Sequence, residues 1–211
     1  MKILIIAATQ SELEPIQQKL GKGKAPFEIT YLATGVGMIA TTFELTSVLT
    51  KTHFDLAINI GIAGAFDRSI ELGEVVEVVK DQFAEELVED GDDLKSYHQI
   101  GLRDEDEAPF VKGVLNNSYQ TVSEFKKANA ITVNKVHGND FSIKRIKERL
   151  DPQVESMEGA AFFYTCNRME VPTLQLRAIS NYVEKRNREE WKIGLALNNL
   201  AEATASLINK L

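Results

Sequence analysis

Four side chains stand where an α/β protein usually keeps its chemistry: Glu12, Glu158, Arg177 and Asn181. Each follows a short apolar run of the kind that forms a strand buried on both faces. Ligands in open α/β sheets sit beyond the carboxyl ends of such strands. Glu12 comes after Ile3–Ala8, Glu155-Ser156-Met157-Glu158-Gly159 after a short strand at Val154, and Arg177-Ala178-Ile179-Ser180-Asn181 after Leu176. A glycine turn, Gly61-Ile62-Ala63-Gly64, closes the run Asp55–Gly61. Two carboxylates, a guanidinium, an amide and a backbone turn could then converge on one crevice, a set suited to acid–base work. Each residue also has a plainer use. An acid that opens a helix complements its dipole, Glu155 and Glu158 could be one solvated and one capping acid, and Asn181 could be a turn residue. Glu14 lies two residues from Glu12, points elsewhere on a helix and is expected to be solvated.

Another glycine pattern misleads. Gly35-Val36-Gly37-Met38-Ile39-Ala40 satisfies the G-x-G-x-x-A form of the dinucleotide fingerprint. That fingerprint normally follows the first strand, where this chain has Gln10-Ser11-Glu12-Leu13-Glu14, and two carboxylates there repel a pyrophosphate. No acid stands about 20 residues on at a strand end to hold a ribose. These glycines are expected to make a tight turn, and a nicotinamide enzyme is the remote reading. His53, His98, His137 and Cys166 form no metal-ligand spacing, so no metal and no cofactor are expected.

The elements that position these residues alternate. Ile3–Ala8 is a strand; Ser11 caps a helix carrying Leu13, Ile16 and Leu20, which Gly21 and Gly23 end. Phe27–Ala33 is a second strand, and Met38–Thr50 a helix with Phe43 against the core. Val75–Val79 and Ala130–Val136 are strands, with loops and short strands over Asp81–Asn117. Phe141–Leu150 is a helix, Gln153–Ser156 a strand, Glu158–Arg168 a helix, Thr173–Ser180 a strand and Trp191–Leu211 a closing helix. The pattern predicts a three-layer αβα domain over residues 1–211, with a mixed, largely parallel sheet.

The 211 residues include 24 basic and 31 acidic side chains, a formal charge of −7, with 44% apolar and 26% charged residues. That excludes a disordered chain. No apolar run approaches the roughly 18 residues of a spanning helix, so no membrane is expected. Ten acids against Lys95 and Arg103 between Glu85 and Glu107 hold the acidity, read as a solvated surface segment. A near-neutral remainder without a basic stripe excludes a nucleic-acid binder. Met1-Lys2 leads straight into a β-rich run, and the single cysteine forms no internal disulfide, which suits a reducing cytoplasm.

The motifs together resemble the purine nucleoside phosphorylase and nucleosidase superfamily: M-K-I-L-I-I-A-A-T-Q-S-E at the start, N-I-G-I-A-G at Asn59–Gly64, E-S-M-E-G-A-A at Glu155–Ala161 and R-A-I-S-N at Arg177–Asn181. Four motifs in register cover nearly the whole chain. Within the superfamily the sequence is similar to the methylthioadenosine/S-adenosylhomocysteine nucleosidases and closer still to the futalosine hydrolases. Ser180-Asn181-Tyr182-Val183-Glu184, Arg186-Asn187, Trp191 and Thr132–Gly138 look like the latter subgroup. The resemblance implies hydrolysis of futalosine to hypoxanthine on a menaquinone pathway. Glu12 would be the general base, with Met157 and Glu158 at the ribose and Arg177 orienting water or the ribose side. Ile62, Ala63 and Gly64 would approach the purine or ribose, Ser180 would stand beside the base-reading residue, and Phe141 would lie over the purine or serve the core. Trp191 would close a lid or anchor the last helix, and His137 is read as a satisfied structural histidine. Relatives assemble as homodimers or larger, and Asp81–Pro109 is the region expected to complete a neighbour's pocket.

Physical chemistry separates the members. A phosphorylase needs cations for phosphate near the first strand's end, but between Lys2 and Lys19 there is none, and Glu12 would have to be desolvated beside phosphate. Water is the better co-substrate. N-glycosidic cleavage builds positive charge on the ribose, as in glycoside hydrolysis. Adenine-cleaving relatives carry aspartate at the position of Asn181 and commonly serine at that of Ile62. An amide has one NH₂ and one carbonyl. Its NH₂ can meet a 6-oxo group and its carbonyl N7–H, which favours hypoxanthine, but it cannot supply the proton itself. Adenine-cleaving hydrolysis and a non-catalytic nucleoside-binding module stay open as alternatives.

Overall fold

The computed structural model describes residues 1–21, 27–119 and 124–211. The expected helix stop at Gly23 lies outside them; Gly21 does cap that helix, its N–H bonded to the Gln17 carbonyl.

Strand β1 (Lys2–Ala7) pairs in parallel with β2 (Glu28–Ala33) and β3 (Leu56–Ala65). Ile3, Ile5 and Ala7 face helices α1 (Gln10–Leu20) and α5 (Ile193–Ile208), while Leu4 and Ile6 face α2 (Met38–Leu49) and α4 (Gly159–Arg168). A strand whose alternate residues serve two cores must be apolar throughout, hence the continuous run. The result is helices on both faces of a mixed, largely parallel sheet.

Beyond β3 run β4 (Val75–Asp81), the hairpin β5–β6 (Leu87–Asp90, Asp93–Ser96), β7 (Leu115–Asn116), β8 (Lys126–Thr132), α3 (Asp140–Leu150), β9 (Val154–Ser156) and β10 (Thr173–Tyr182). The sheet order is β10-β4-β8-β9-β3-β1-β2, and β10 also pairs with β3, so part of the sheet closes on itself. That closure gathers the carboxyl ends of β3 and β10 beside β9. The acidic segment folds as the β5–β6 hairpin and following turns, in a sheet of its own. No helix of the described residues is long and apolar enough to cross a membrane.

Several local expectations change. Residues 61–64 form no turn: β3 continues through them to Ala65. Strand β8 starts and stops earlier than 130–136. Phe43 does not face the core but is 67% exposed, because the buried stripe of α2 runs through Thr41, Leu45 and Leu49. A helix carrying apolar residues on several sides leaves the choice of inner face to its neighbours.

The start of α4 rests on a buried polar cluster. Asp81, at the end of β4, accepts from Gln175 Nε2 at 3.2 Å, Thr132 Oγ1 at 2.9 Å and its neighbour's N–H. A Cβ at Gly159 would stand 2.1 Å from Asp81 Oδ2, so only glycine lets the helix begin here. Burial pushes the Asp81 carboxyl up to about 6 from 3.8, against those hydrogen bonds. A raised carboxyl holds its proton better in the folded chain. Its stabilising contribution is therefore complete below about pH 3.8 and is lost as pH rises through about 6, on the order of 3 kcal/mol. Asp81→Asn is expected to melt above wild type near neutral pH and to flatten stability across that window. Thermal melts at a series of pH values check it; an unchanged pH dependence removes Asp81 as its source.

Candidate active site

A cavity of about 580 Å³ opens at the carboxyl ends of β1, β3, β9 and β10, within the range of small-molecule sites. Glu12, Ile62, Ala63, Gly64, Met157, Glu158, Ser180 and Asn181 all line it.

Glu12 enters from the first turn of α1. Its cap is Thr9, not the expected Ser11: Glu12 Oε2 accepts from the Thr9 N–H at 2.9 Å and the Thr9 hydroxyl at 2.8 Å. A cap at Thr9 places Glu12 at the third helical position, where a carboxylate reaches back to the cap. Its other oxygen accepts from the Ile62 N–H at 3.2 Å. Glu12 is thus held across two strand ends. Gly61 explains the closeness: a Cβ there would lie 3.1 Å from both Glu12 Oε1 and Arg177 Nη1. Glu14 is exposed, as expected.

Glu158 caps α4 and reaches across the cavity, where its Oε1 accepts from the Gly37 N–H at 2.9 Å. The glycines of the false fingerprint therefore serve a carboxylate. Gly35 and Gly37 both have positive φ, +84° and +94°, which glycine adopts readily. Burial raises the Glu158 carboxyl above the usual range, opposed by the Arg177 charge and the Gly37 N–H and helped by the Glu12 charge.

Arg177 lies behind the wall and does not line the cavity. It is 1% exposed, donating through Nη2 to Asn59 Oδ1 and through Nη1 to the Leu176 carbonyl at 3.4 Å. Neither Glu12 nor Glu158 pairs with it directly; Asn59 takes its donor instead. Burial lowers the guanidinium pKa, while the charges of Glu158, Asp81 and Glu12 raise it. It acts on the site as a charge beneath the carboxylates.

Asn181 is aimed by a bulge. In the β10–β3 ladder, Ile179 opposes Ala63 and Asn181 opposes Gly64, so Ser180 is the extra residue. Asn181 Nδ2 donates to the Tyr182 carbonyl at 3.0 Å, and the Ser180 hydroxyl donates to Asn181 Oδ1 at 2.8 Å. A carbonyl only accepts, so these anchors forbid the flipped amide. One N–H and one lone pair remain for a ligand. Gly64 again permits the approach: a Cβ there would meet Val183 at 2.9 Å and Asn181 Nδ2 at 3.3 Å.

Phe141 is not brought to this site. It opens α3, is 68% exposed and has the Arg145 guanidinium over its ring. The cavity wall has members that sequence reasoning left out: Val136, Glu155, and Glu184 with Lys185 and Arg188 near Trp191. Trp191 lies on the wall under Arg186 and Arg188, ahead of α5, and the short 3₁₀ turn Arg188–Glu190 precedes it. Glu155 is not a solvated acid but is buried, and His137 Nδ1 lies 2.7 Å from its Oε2. The antiparallel contact of β9 with β3 at Gly64 and its parallel pairing with β8 put that pair here, and no spacing in the sequence signals it.

Residues 2–211 match the sequence model of the phosphorylase superfamily. Among similar proteins, futalosine hydrolase of Thermus thermophilus is 26% identical over 93% of this chain and 88% of its own length. The 5′-methylthioadenosine/S-adenosylhomocysteine nucleosidase of Aeromonas salmonicida is 27% identical over the full length of both. Among solved structures, the corresponding nucleosidase of S. pneumoniae with a transition-state inhibitor has a TM-score of 0.80 at 20% identity, covering 99% of this chain and 98% of that one. A futalosine hydrolase mutant of Helicobacter pylori has a TM-score of 0.82 at 16% identity, covering both chains fully. At those identities the structural likeness speaks for the fold.

Proposed function

This chain belongs to the phosphorylase superfamily, and on that premise we propose that it is a nucleosidase that hydrolyses the N-glycosidic bond of futalosine, releasing hypoxanthine. The observation that carries this reading is the approach of Glu12 and Glu158 from different elements to one cavity that also holds a fixed amide, Asn181. Glu12 takes the proton of the attacking water. Glu158, with Met157 beside it, stabilises the positive charge that grows on the ribose. Asn181 offers its N–H to the 6-oxo group. Arg177, from behind, opposes the burial that raises the Glu158 carboxyl.

Hydrolysis is favoured over phosphorolysis because the segment that brings Glu12 to the cavity (Ala8, Thr9, Ser11) carries no cation; the cations of the wall, Lys185, Arg186 and Arg188, come from the segment after β10. The whole of residues 1–211 acts as one nucleosidase domain in the cytoplasm, with a nucleoside as its partner and no metal or cofactor. We extend the reading to a homodimer or larger assembly: Val36, Ile39 and Phe43 leave an apolar face beside Gly37, and Val36 also borders the cavity. Adenine-cleaving hydrolysis is the second reading, supported by the similarity to the methylthioadenosine/S-adenosylhomocysteine nucleosidases. Ile62 in place of a hydroxyl residue and the fixed amide of Asn181 weigh against it.

The test is base release from futalosine, inosine and methylthioadenosine in phosphate-free buffer, followed by chromatography. Hypoxanthine from futalosine is expected at a rate that added phosphate leaves unchanged. Release of no base from any of the three ends the proposal, and a higher kcat/KM for methylthioadenosine moves it to the second reading.

A further inference from the structure

The proposed hydrolysis lacks an acid. Electron density leaving with the purine needs a proton at N7, and Asn181 is an amide with none to give. The cavity wall holds another candidate in the loop after β8. His137 lines the cavity, 12% of its side chain is exposed, and its Nδ1 faces Glu155 Oε2 at 2.7 Å. The His137 backbone N–H donates to the other oxygen, Oε1, at 3.0 Å. Glu155, 4% exposed, is therefore gripped twice by one residue, and the ring is held in one orientation. Nε2 makes no hydrogen bond among the described residues, and it is not among the sealed, unpartnered polar atoms. The Phe66 ring touches the imidazole edge-on and offers no polar group.

The dyad adjoins the residue that reads the base. A Cβ at Gly64 would stand 3.3 Å from Asn181 Nδ2 and 3.7 Å from Glu155 Cγ, so the amide and the Glu155–His137 pair flank the same glycine. We propose that His137, positioned by Glu155, is the general acid that protonates the departing purine; this rests on the nucleosidase reading. As the C1′–N9 bond breaks, its electron pair goes to the purine and the Nε2 proton passes to N7. Water adds to C1′ and gives its proton to Glu12. His137 is left neutral with Nδ1–H still on Glu155, so the carboxylate fixes which nitrogen gives up the proton. Proton exchange with solvent returns Glu12 and His137 to their starting states.

Other charges line the same cavity. Glu184, Lys185 and Arg186 follow β10, and Arg186 Cβ lies 3.4 Å from where a Cβ at Gly138 would stand. Glu184 is paired with Arg68, and Arg186 is stacked on Trp191. Glu12 and Glu158 stand elsewhere on the cavity wall.

The decisive variants are His137→Asn, whose amide can still donate to Glu155 where Nδ1 does, and Glu155→Gln. They are assayed with whichever nucleoside of the panel releases most base. His137→Asn is expected to lower kcat at least about 100-fold with KM within about threefold, and to remove the fall of kcat at alkaline pH. Glu155→Gln should keep more activity and change the pH at which that fall occurs, which a merely structural pair would not do. Wild-type protein that turns over while His137→Asn stays within about threefold in kcat, or an alkaline limb that neither variant alters, overturns this inference alone. Wild-type protein that releases no base overturns the nucleosidase reading and this inference together. If His137→Asn does not fold, the pH profile of Glu155→Gln decides.

Discussion

Glu12→Gln lowers kcat for base release by about 10²–10⁴-fold and lowers the melting temperature only slightly. The two outcomes belong together. Glutamine keeps the size of the side chain and an oxygen acceptor, and a capping box tolerates either residue at its third position. Its single oxygen keeps the Thr9 N–H of the cap, while the Ile62 N–H, which Glu12 meets with its other oxygen, faces the amide NH₂ and loses that bond. What disappears is basicity: an amide does not take a proton from water. A loss confined to kcat, with KM little changed, marks an interaction made in the transition state. Steady-state kinetics beside a thermal melt read both quantities. A variant with wild-type kcat removes Glu12 from proton transfer, and a large fall in melting temperature reassigns the residue to the structure of α1.

Asn181→Asp is expected to shift the ratio of kcat/KM for adenine against hypoxanthine substrates toward adenine by at least about 100-fold. The anchors of the amide are the reason. In the native site the Tyr182 carbonyl and Ser180 hydroxyl fix which atom is the donor, leaving an N–H for a 6-oxo group. A carboxylate offers only acceptors there. It repels the oxo group of hypoxanthine and accepts from the amino group of adenine, and a buried polar group left unpaired costs about 1–3 kcal/mol. Competition between the two substrate classes reads the ratio directly. If the variant keeps its preference for 6-oxopurines, the base is read by something other than residue 181. Ser180→Ala provides an internal comparison with no change of charge: the Tyr182 carbonyl still fixes which amide atom is the donor, so the preference should be kept.

The strand framework was legible because double burial writes itself into composition. Ile3–Ala7 serves two helical layers and contains no polar residue. The same logic placed β10 and the helices that follow the apolar runs. It failed where a choice of face depended on neighbours, as with Phe43, and where glycine had two meanings. Gly61 and Gly64 resemble a turn in the sequence. In the fold they sit inside β3 and make room for Glu12, Arg177, Asn181 and Val183. Ser11 is a sound cap by residue type, yet Thr9 holds the position because β1 ends at Ala7 and the helix already starts at Gln10.

Residue types and order alone gave the α/β class and the superfamily resemblance, and pointed to Glu12, Glu158, Asn181 and Arg177 because each follows an apolar run of the kind whose carboxyl end meets the ligand crevice. Distance, direction and partnership were decided only by tertiary structure. The closure of β10 on β3 brought the strand ends to one cavity, put Arg177 behind its wall on Asn59 and left Phe141 outside. The pairings of β9 joined His137 to a glutamate 18 residues away. Contacts between residues on different elements follow from sheet register and bulges, and one residue of slip turns every side chain to the other face.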